Sequence, residues 1–379
     1  MESFMAIIQS TFTLNILLLI LGGSAFGMIV GAIPGLNTTL AVAIVIPVTF
    51  YLNPVEALAL LAAVYKSGIY GGSVSAILLG VPGTPAAACT VRDGFAMAKK
   101  GQAKRALDGA LYASVFADLL SNTILILVAS WLAQFALKFG PSENMLLVLF
   151  ALVVVSLVGS SSLLKGLMAS VIGLSLAMLG MDPMTGSPRF TFGNINMLSG
   201  VTLIPTLVGM FAMSEIFVEY SNFRHSKGES MSTEIPQDKN SHLSLREFFS
   251  YWRTLIRSSL IGVFIGALPG SGASTASFIS YSMAQRSSKH PEEFGEGSIE
   301  AICASESANN GVCGATLIPL LTLGIPGDTI TAIMYGALIL QGITPGPLVF
   351  TQQGDMITGL YITYSFVLSS CSYWGKLCV

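Results

Sequence analysis

Four of the five Pro-Gly dipeptides of this chain belong to apolar phrases that occur twice in the sequence, and these four are the best candidates for binding a ligand. They are Pro34-Gly35, Pro82-Gly83, Pro269-Gly270 and Pro326-Gly327. Proline removes a backbone donor and glycine accepts a positive φ angle, so each dipeptide predicts a break in a helix. A break at membrane depth leaves unpaired N–H and C=O groups, which are tolerated only where protein, water or a ligand satisfies them. The four breaks are therefore the predicted binding positions.

Small polar residues follow the breaks, and we expect those at 36–39 and 271–275 to cap the helices that begin there. A helix N-terminus with free amides favours an anion, whereas free carbonyls at the preceding helix end favour a cation such as sodium. A capped hairpin tip without a ligand is the alternative. The predicted substrate-binding residues at the breaks are Pro34, Gly35, Leu36, Asn37, Thr38, Thr39, Pro82, Gly83, Thr84, Pro269, Gly270, Ser271, Gly272, Ala273, Ser274, Thr275, Pro326, Gly327 and Thr329.

A lysine stands in the middle of the apolar segment 54–80. Lys66 is too far from either end of that segment to snorkel easily, and charges inside a membrane are costly and usually paired or functional. A structural ion pair with Asp118 is one interpretation. Contact with an anionic substrate is the other, so Lys66 is also a candidate substrate-binding residue. Glu56 follows Asn53 at the spacing of a helix cap.

Oxygen-bearing side chains gather in the second half of the chain. Glu306, Asn309 and Asn310 lie at positions i, i+3 and i+4, which places them on one face of a helix. Carboxylate and amide oxygens suit a hard cation, and Asp328, directly after the fourth break, is a further candidate. These four residues are the predicted sodium ligands. Polar contacts between helices are the alternative interpretation.

The composition indicates what must position these residues. Hydrophobic residues make up 53% of the 379-residue chain and charged residues 10%, and the mean hydropathy is +0.72. These values predict an all-α polytopic membrane protein. Apolar stretches long enough to cross ~30 Å of hydrocarbon occupy 11–33, 54–80, 106–138, 143–160, 163–181, 200–218, 255–284, 301–323 and 355–372. A shorter apolar segment occupies 38–52.

Two phrases of the sequence occur twice. The segment GMIVGAIPG, which begins at Gly27, returns 235 positions later as GVFIGALPG. The segment LGVPGT, which begins at Leu79, returns 244 positions later as LGIPGD. Gly23, which precedes the first phrase, and Gly27 and Gly31 within it lie at four-residue spacing, which predicts close helix packing.

The repeated phrases divide the chain into two related halves. The predicted organisation is a first membrane repeat at 1–220, a polar cytoplasmic linker at 221–250 and a second membrane repeat at 251–379. The loop after the second break, 82–105, holds five lysines and arginines, whereas the loop after the fourth break, 326–347, holds none. Because basic loops stay in the cytoplasm, the two repeats are predicted to be inverted. Inverted repeats with broken helices or helical hairpins suit alternating access to a central site.

Other classes of protein find no support in the sequence. The five cysteines form no C-x-x-C pair and have no histidine at ligand spacing, so neither a disulfide framework nor a zinc site is expected. No Walker A sequence, Ser/His/Asp set or H-E-x-x-H motif supports an enzyme. Nothing suggests nucleic-acid binding. No cofactor is predicted other than sodium as a coupling ion. A passive channel or non-transporting scaffold is the competing function, but a simple pore does not need two pairs of broken helices.

Taken together, the motifs resemble the large permease subunit of the tripartite tricarboxylate transporters. They occur in the family's order across nearly the whole chain, as GMIVGAIPGLNTTLAVAIVIPVTF, IYGGSVSAILLGVPGTPAA, RDGFAMAKKGQAKRAL, GVFIGALPGSGAST, SESANNGVCGATLIPLLTLGIPGD and GITPGPLVF. The resemblance implies a multi-pass permease of the bacterial inner membrane that works with a small membrane subunit and a periplasmic solute-binding protein. It also implies uptake of citrate or other carboxylates by symport with an ion, commonly sodium.

The chain departs from the family in its length and its ending. Family members are longer, with several more spans where this chain stops. The residues from Ser369 to Val379 do not resemble a native continuation. An inactive, truncated or frameshifted permease is therefore a further expectation.

Overall fold

The computed structural model of the chain consists almost entirely of helices. It describes residues 11–158, 162–182, 185–202 and 242–378, with five short stretches between 205 and 221. In chain order the helices are α1 (Leu14–Ala32), α2 (Thr38–Thr49), α3 (Pro54–Leu78), α4 (Ala88–Lys99), α5 (Ala103–Ala136), α6 (Pro141–Val158), α7 (Leu163–Ala177), α8 (Leu245–Phe248), α9 (Trp252–Gly266), α10 (Gly272–Ser287), α11 (Ile299–Ala315), α12 (Leu317–Leu323), α13 (Thr329–Leu340), α14 (Val349–Gln352) and α15 (Gly354–Cys378). The all-α class predicted from the composition is confirmed.

A small antiparallel ribbon follows α7. It pairs β1 (Gly180–Met181) with β2 (Pro188–Arg189). An ion pair between Asp182 and Arg189 joins its two strands. The predicted span 163–181 therefore ends as a helix at Ala177. Short 3₁₀ turns occupy Pro85–Ala87, Ile195–Met197, Phe249–Tyr251 and Pro291–Glu293.

Three helices in the described part of the chain are long and apolar enough to cross a membrane. They are α1, α3 and α5, with 19, 25 and 34 residues. The most apolar window of α3 is entirely buried inside the protein, so α3 is the central helix of the fold. The capping box predicted at its start, between Asn53 and Glu56, is confirmed. With these helices and this hydropathy, the chain is a membrane protein.

The helix α1 packs against α3 through its glycines. A Cβ atom on Gly27 would lie 2.4 Å from the carbonyl oxygen of Val64, and one on Gly31 would lie 2.1 Å from that of Gly68. Because real atoms cannot approach so closely, only glycine lets the two backbones come together here. The close packing predicted from the four-residue spacing is confirmed.

The second half of the chain makes the same contact between α9 and α11. A Cβ atom on Gly262 would lie 2.4 Å from the carbonyl oxygen of Ala308, and one on Gly266 would lie 3.0 Å from that of Val312. These are the α1–α3 contacts moved along the chain by 235 and 244 positions, the offsets of the repeated phrases. The internal repeat is therefore present in the packing as well as in the sequence.

Each half begins with two helices that meet at a Pro-Gly break. In the second half, Arg257 near the start of α9 donates a hydrogen bond to Ser287 at the end of α10. Thr254 and Ser288 both donate to Glu300 at the start of α11, each over 2.6 Å. The helices α9 and α10 therefore form a hairpin whose two ends lie beside the start of α11.

The ends of the first hairpin, formed by α1 and α2, lie together at a different place. Thr11, before α1, and Val55, at the start of α3, both border Gly359. Gln341, just after α13, donates to the carbonyl oxygen of Thr49 at the end of α2 over 2.7 Å. The base of this hairpin is thus associated with the start of α3 and the end of α13.

Several predicted spans differ from the helices observed. The segment 38–52 contains α2, whose 12 residues extend only about 18 Å, so it cannot cross a membrane alone. The segment 255–284 is divided between α9 and α10, and 301–323 is divided at Thr316 into α11 and α12. The segment 106–138 belongs to one uninterrupted helix, α5.

The predicted linker 221–250 is only partly visible. Residues 222–241 lie outside the described residues. The remaining part contains α8, whose first turn is capped by Ser244.

Candidate functional site

The first two breaks lie against each other within the first half. Gly35 has a φ angle of 90°, and Asn37 then caps α2 by accepting a hydrogen bond from an amide of its first turn over 2.9 Å. The cap predicted for Asn37 is confirmed. The Gly83 amide donates to the Gly72 carbonyl oxygen over 3.2 Å. A Cβ atom on Gly83 would lie 2.0 Å from the carbonyl oxygen of Gly31, so only glycine fits between these segments.

The third break begins α10 without a side-chain cap. The Gly270 amide donates to the Gly327 carbonyl oxygen over 2.8 Å, which joins the third break to the fourth. Ser271 makes no cap hydrogen bond, so the cap predicted there is wrong. The reason is its helical backbone, with φ −76° and ψ −33°, because a capping residue needs an extended one. Ser271 therefore does not supply the first amides of α10 with the side-chain acceptor that a capping residue would give.

The fourth break is capped and tied to the first half. Asp328 forms a capping box with Thr331, whose amide donates to Oδ1 of Asp328 over 2.7 Å. The hydroxyl of Tyr65, on α3, donates to Oδ2 of Asp328 over 2.8 Å. Both oxygens of this carboxylate therefore have partners, and one of these partners belongs to the other half of the chain.

The four breaks meet around one cavity of about 200 Å³. Its walls come from the starts of α2, α10 and α13, from the turn after the second break and from α3. The lining residues are Asn37, Thr38, Thr39, Ile69, Thr84, Pro85, Ala86, Gly272, Ala273, Ser274, Asp328, Thr329 and Ile330. The structure thus brings together residues from all four predicted segments and from both halves.

Two threonine hydroxyls of this lining have no hydrogen-bond partner in the described part of the chain. Thr38 is 3% exposed and Thr84 is 6% exposed. Glycines of α3 make room for both, since a Cβ atom on Gly68 would lie 3.0 Å from the hydroxyl of Thr38 and one on Gly72 would lie 2.6 Å from that of Thr84. Leaving buried hydroxyls unpaired is costly, so a ligand or water that bonds them is favoured.

The helix ends give the cavity a preference for negative charge. The N-termini of α2, α10 and α13 all contribute to the lining, and each carries a partial positive charge. The amides at the start of α10 are free of side-chain caps. The lining carboxylate, Asp328, is already held by Tyr65 and Thr331. This arrangement of donors suits a small anion.

The remaining residues predicted at the breaks do not line the cavity. Ser271 and Thr275 instead border a groove on the outer face of the α9–α10 hairpin. The others shape the breaks next to the cavity without contributing to its lining, and they are Pro34, Gly35, Leu36, Pro82, Gly83, Pro269, Gly270, Pro326 and Gly327.

Lys66 lies apart from the cavity in a buried ion pair. Its Nζ is 3.0 Å from Oδ2 of Asp118 and is itself 3% exposed as a side chain. It also donates to Oδ1 of Asn122 over 3.3 Å and to the carbonyl oxygen of Tyr364 over 2.7 Å. The ion pair predicted for Lys66 and Asp118 is confirmed. With these partners in place, Lys66 is not positioned to contact a ligand in the cavity.

A second buried polar cluster surrounds Glu306. Its Oε1 accepts hydrogen bonds from Ser73, over 2.7 Å, and from Thr90. Neither its Oε2 nor the side-chain amide of Asn309 makes a close hydrogen bond within the described residues, although the side chains of Asn309 and Ser114 are near enough to the Glu306 carboxylate to stabilise its charged form. Asn310 donates to Ser114 over 2.8 Å. Glu306, Asn309 and Asn310 are all buried, and none of them lines the cavity.

Several hydrogen-bond partners of these polar groups are not predicted by the sequence. Tyr65, Ser73, Thr90 and Ser114 carried no motif of their own, and each bonds a residue far away in the chain. The available signal was the density of glycine and small polar residues in α3 from 67 to 73. In a transmembrane helix such a run indicates close contacts on several faces.

Comparison with known proteins gives one family. The family described as "Tripartite tricarboxylate transporter TctA family" matches residues 17–375. An uncharacterized 52.8 kDa protein in the TAR-I ttuC' 3' region of Agrobacterium vitis is 41% identical over 339 residues, which are 89% of this chain and 66% of that protein. An uncharacterized protein in the TAR-II ttuC' 3' region of the same organism is 52% identical over 99 residues, which are 26% of this chain and 41% of that protein. No solved structure matches the chain.

Proposed function

We propose that this chain, which belongs to the tripartite tricarboxylate transporter TctA family, is a permease subunit that binds a tricarboxylate or related carboxylate in the cavity between its four breaks. One observation carries the proposal. The buried and unpartnered hydroxyls of Thr38 and Thr84 lie in the same cavity as the uncapped start of α10. Two halves of the chain therefore offer hydrogen-bond donors to one small ligand.

A carboxylate suits this lining better than a neutral solute does. Hydroxyl and amide donors bond a carboxylate more strongly than a neutral acceptor, because the acceptor is ionised. The N-terminus of α10 adds favourable potential without a capping side chain, whereas Asn37 caps α2 and Asp328 caps α13. The choice of a tricarboxylate among carboxylates rests on the family.

The second part of the proposal is that the two repeats are inverted. The base of the α9–α10 hairpin is next to the loop after the second break, since Lys100 donates to the carbonyl oxygen of Glu296 and Gly297 packs on Met97. The base of the α1–α2 hairpin is next to the end of α13, which follows the fourth break. These contacts support hairpins that enter from opposite sides of the membrane and meet at the cavity, as alternating access requires.

The third part concerns the coupling ion. A multiply charged carboxylate in a low dielectric needs a compensating charge, and Lys66 is already paired with Asp118. Within the described residues, Oε2 of Glu306 and Oδ1 of Asn309 are buried oxygens that make no close hydrogen bond, the kind of ligand that a hard cation accepts. We propose that sodium binds here, next to Asn310. Asp328 is the weaker candidate, because hydrogen bonds occupy both of its oxygens.

The remaining parts follow from the family. The subunit is proposed to act in the bacterial inner membrane with a small membrane subunit and a periplasmic solute-binding protein. It carries out symport and no covalent chemistry. The chain covers 66% of the longer relative's length, so the activity, substrate and partners of the whole system are part of this proposal.

Uptake by membrane vesicles tests the proposal. Vesicles that contain this chain with both partner subunits are supplied with radiolabelled citrate, with and without a sodium gradient. We expect sodium-stimulated uptake that a Thr38→Val/Thr84→Val variant reduces strongly. Uptake that is unchanged in this variant would contradict the site. If the binding protein and the small membrane subunit assemble with the chain but the vesicles take up no carboxylate, the proposed function is wrong.

A further inference from the structure

A groove of about 840 Å³ runs along the outer face of the α9–α10 hairpin. Large apolar side chains line it at four-residue spacing along α9 and the turn that follows, and those on α9 lie on one face of that helix. They are Trp252, Ile256, Leu260, Phe264 and Leu268, each between 38% and 69% exposed. From Trp252 to Phe264 the stripe extends about 18 Å along the helix axis, which exceeds the ~15 Å of one hydrocarbon leaflet. It is therefore long enough for a whole acyl chain.

The residues of this groove do not suit a second transmembrane helix. Helices that pack in membranes approach through small residues. The small residues of α9, Gly262 and Gly266, instead face Ala308 and Val312 of α11 inside the protein. The outer face of α9 therefore carries bulky side chains that pack well against flexible acyl chains.

One end of the groove carries positive charge. Arg253 and Arg257 line that end, and the Arg253 guanidinium lies 5.4 Å from the ring centre of Trp252. Neither arginine takes part in an ion pair among the described residues. Nε of Arg257 is buried and has no hydrogen-bond partner there. Tryptophan and arginine at the end of an apolar helix face mark the membrane interface, where lipid phosphates lie.

Carboxylates near this end are already engaged. Glu300 accepts hydrogen bonds from Thr254 and Ser288, and Glu247 pairs with Arg105. Arg257 uses Nη1 to donate to Ser287, so among the described residues the Arg253 guanidinium and the other nitrogens of Arg257 remain for an anion, and a planar guanidinium matches the geometry of a phosphate.

We propose that this groove binds an anionic phospholipid, with its phosphate at Arg253 and Arg257 and an acyl chain along the apolar stripe. The groove ends at Ser271 and Thr275, which belong to the third break. Gly272, next to Ser271, lines the central cavity. The lipid would thus contact the same hairpin tip that contributes to the cavity. Ser271 and Thr275, which do not line the cavity, would contact the lipid instead.

Lipid binding to the purified full chain in detergent tests the proposal. Native mass spectrometry compares phosphatidylglycerol with phosphatidylcholine of the same acyl chains, and inorganic phosphate serves as the headgroup without a chain. We expect phosphatidylglycerol to bind about thirtyfold more tightly than phosphatidylcholine, since each basic residue near an anionic headgroup contributes ~1 kcal/mol. Arg253→Gln/Arg257→Gln should remove this preference.

The matched control is Arg246→Gln, which removes an exposed positive charge from the same basic stretch outside the groove. It should keep the preference. The proposal is overturned if the double variant keeps the preference, if the control loses it equally, or if inorganic phosphate binds as tightly as the lipid.

A second measurement stays informative if the double variant does not fold. A photo-crosslinking benzophenone amino acid replaces Phe264, the most exposed residue of the stripe, in the complete complex in native membranes. We expect adducts of lipid mass. Adducts on another subunit instead would assign the groove to a protein partner and overturn the lipid site. Neither measurement uses transport, so a failure of the lipid proposal can be distinguished from a failure of the permease proposal.

Discussion

At the scale of single residues, the hydroxyls of Thr38 and Thr84 are expected to contribute directly to carboxylate binding. Valine has nearly the same shape as threonine but offers no hydrogen bond. We expect Thr38→Val and Thr84→Val each to weaken carboxylate binding about tenfold, since a hydrogen bond to a charged group is lost. The measurement is the half-saturating substrate concentration for uptake.

The control for these variants is Thr123→Val. Thr123 is exposed on α5, and among the described residues its hydroxyl donates to the carbonyl oxygen of Leu119 in its own helix. This variant should leave uptake unchanged. An equal effect of the control and the cavity variants would show that the loss is not specific to the cavity.

The buried pair of Lys66 and Asp118 predicts a change in stability. Lys66→Met leaves the Asp118 carboxylate buried without its counter-charge, which costs about 3–5 kcal/mol. We expect a lower Tm in detergent, and recovery of most of the loss in Lys66→Met/Asp118→Leu, because the second substitution removes the uncompensated charge. If the single and double variants melt alike, the pair does not stabilise the fold.

Glu306 predicts a change in ion dependence. Glu306→Gln keeps an acceptor for Ser73 and Thr90 but removes the charge that would attract sodium. We expect the half-stimulating sodium concentration to rise about tenfold, as for an equilibrium that loses ~1.4 kcal/mol, with little change in expression. Glu300→Gln is the control, since Glu300 also accepts hydroxyl hydrogen bonds but lies at the base of the α9–α10 hairpin. Unchanged sodium dependence in Glu306→Gln would remove Glu306 from coupling.

At the scale of elements, the packing of α1 on α3 predicts opposite effects of substitution at two glycines of α1. A Cβ atom on Gly31 would lie 2.1 Å from the Gly68 carbonyl oxygen, whereas one on Gly22 would meet nothing within 4 Å. We expect Gly31→Ala to lose about 3 kcal/mol of stability through overpacking, and Gly22→Ala to gain up to about 1 kcal/mol from helix propensity. Thermal unfolding of the two variants measures the difference. Equal melting temperatures would contradict the close contact.

The sequence predicts the helical class and the positions of the four breaks, but not every helix boundary, and it predicts only some of the contacts between helices. Pro-Gly dipeptides predict breaks because their effect on the backbone is local, and Asn37 caps as expected for the same reason. Ser271 does not cap, because its backbone is helical and α10 begins at Gly272, with φ 65°. The bond between Tyr65 and Asp328 joins residues 263 positions apart. No local pattern reports such a pairing, so it could only come from the structure.

At the scale of the whole molecule, inverted repeats predict the location of two loops. Lys99→Cys lies after the second break and Thr344→Cys after the fourth, and both positions are exposed. In a background with the five native cysteines replaced, we expect a membrane-impermeant maleimide to label them from opposite sides of the membrane. The expectation rests on the basic residues of 82–105 and their absence from 326–347. Labelling of both positions from one side would contradict the inversion.

If the cavity between the four breaks holds the carboxylate, bound substrate should protect a cysteine in the cavity lining from chemical labelling. Ala273, at the start of α10, is replaced by cysteine in the same cysteine-free background, and its maleimide labelling rate is measured with citrate or with glycerol as a neutral control. We expect citrate, but not glycerol, to protect Ala273→Cys in a saturable way. Thr38→Val/Thr84→Val should weaken this protection, and citrate should leave labelling of Thr344→Cys unchanged. Labelling of Ala273→Cys that proceeds at one rate with and without citrate, in vesicles that still take up citrate, would contradict binding in the cavity.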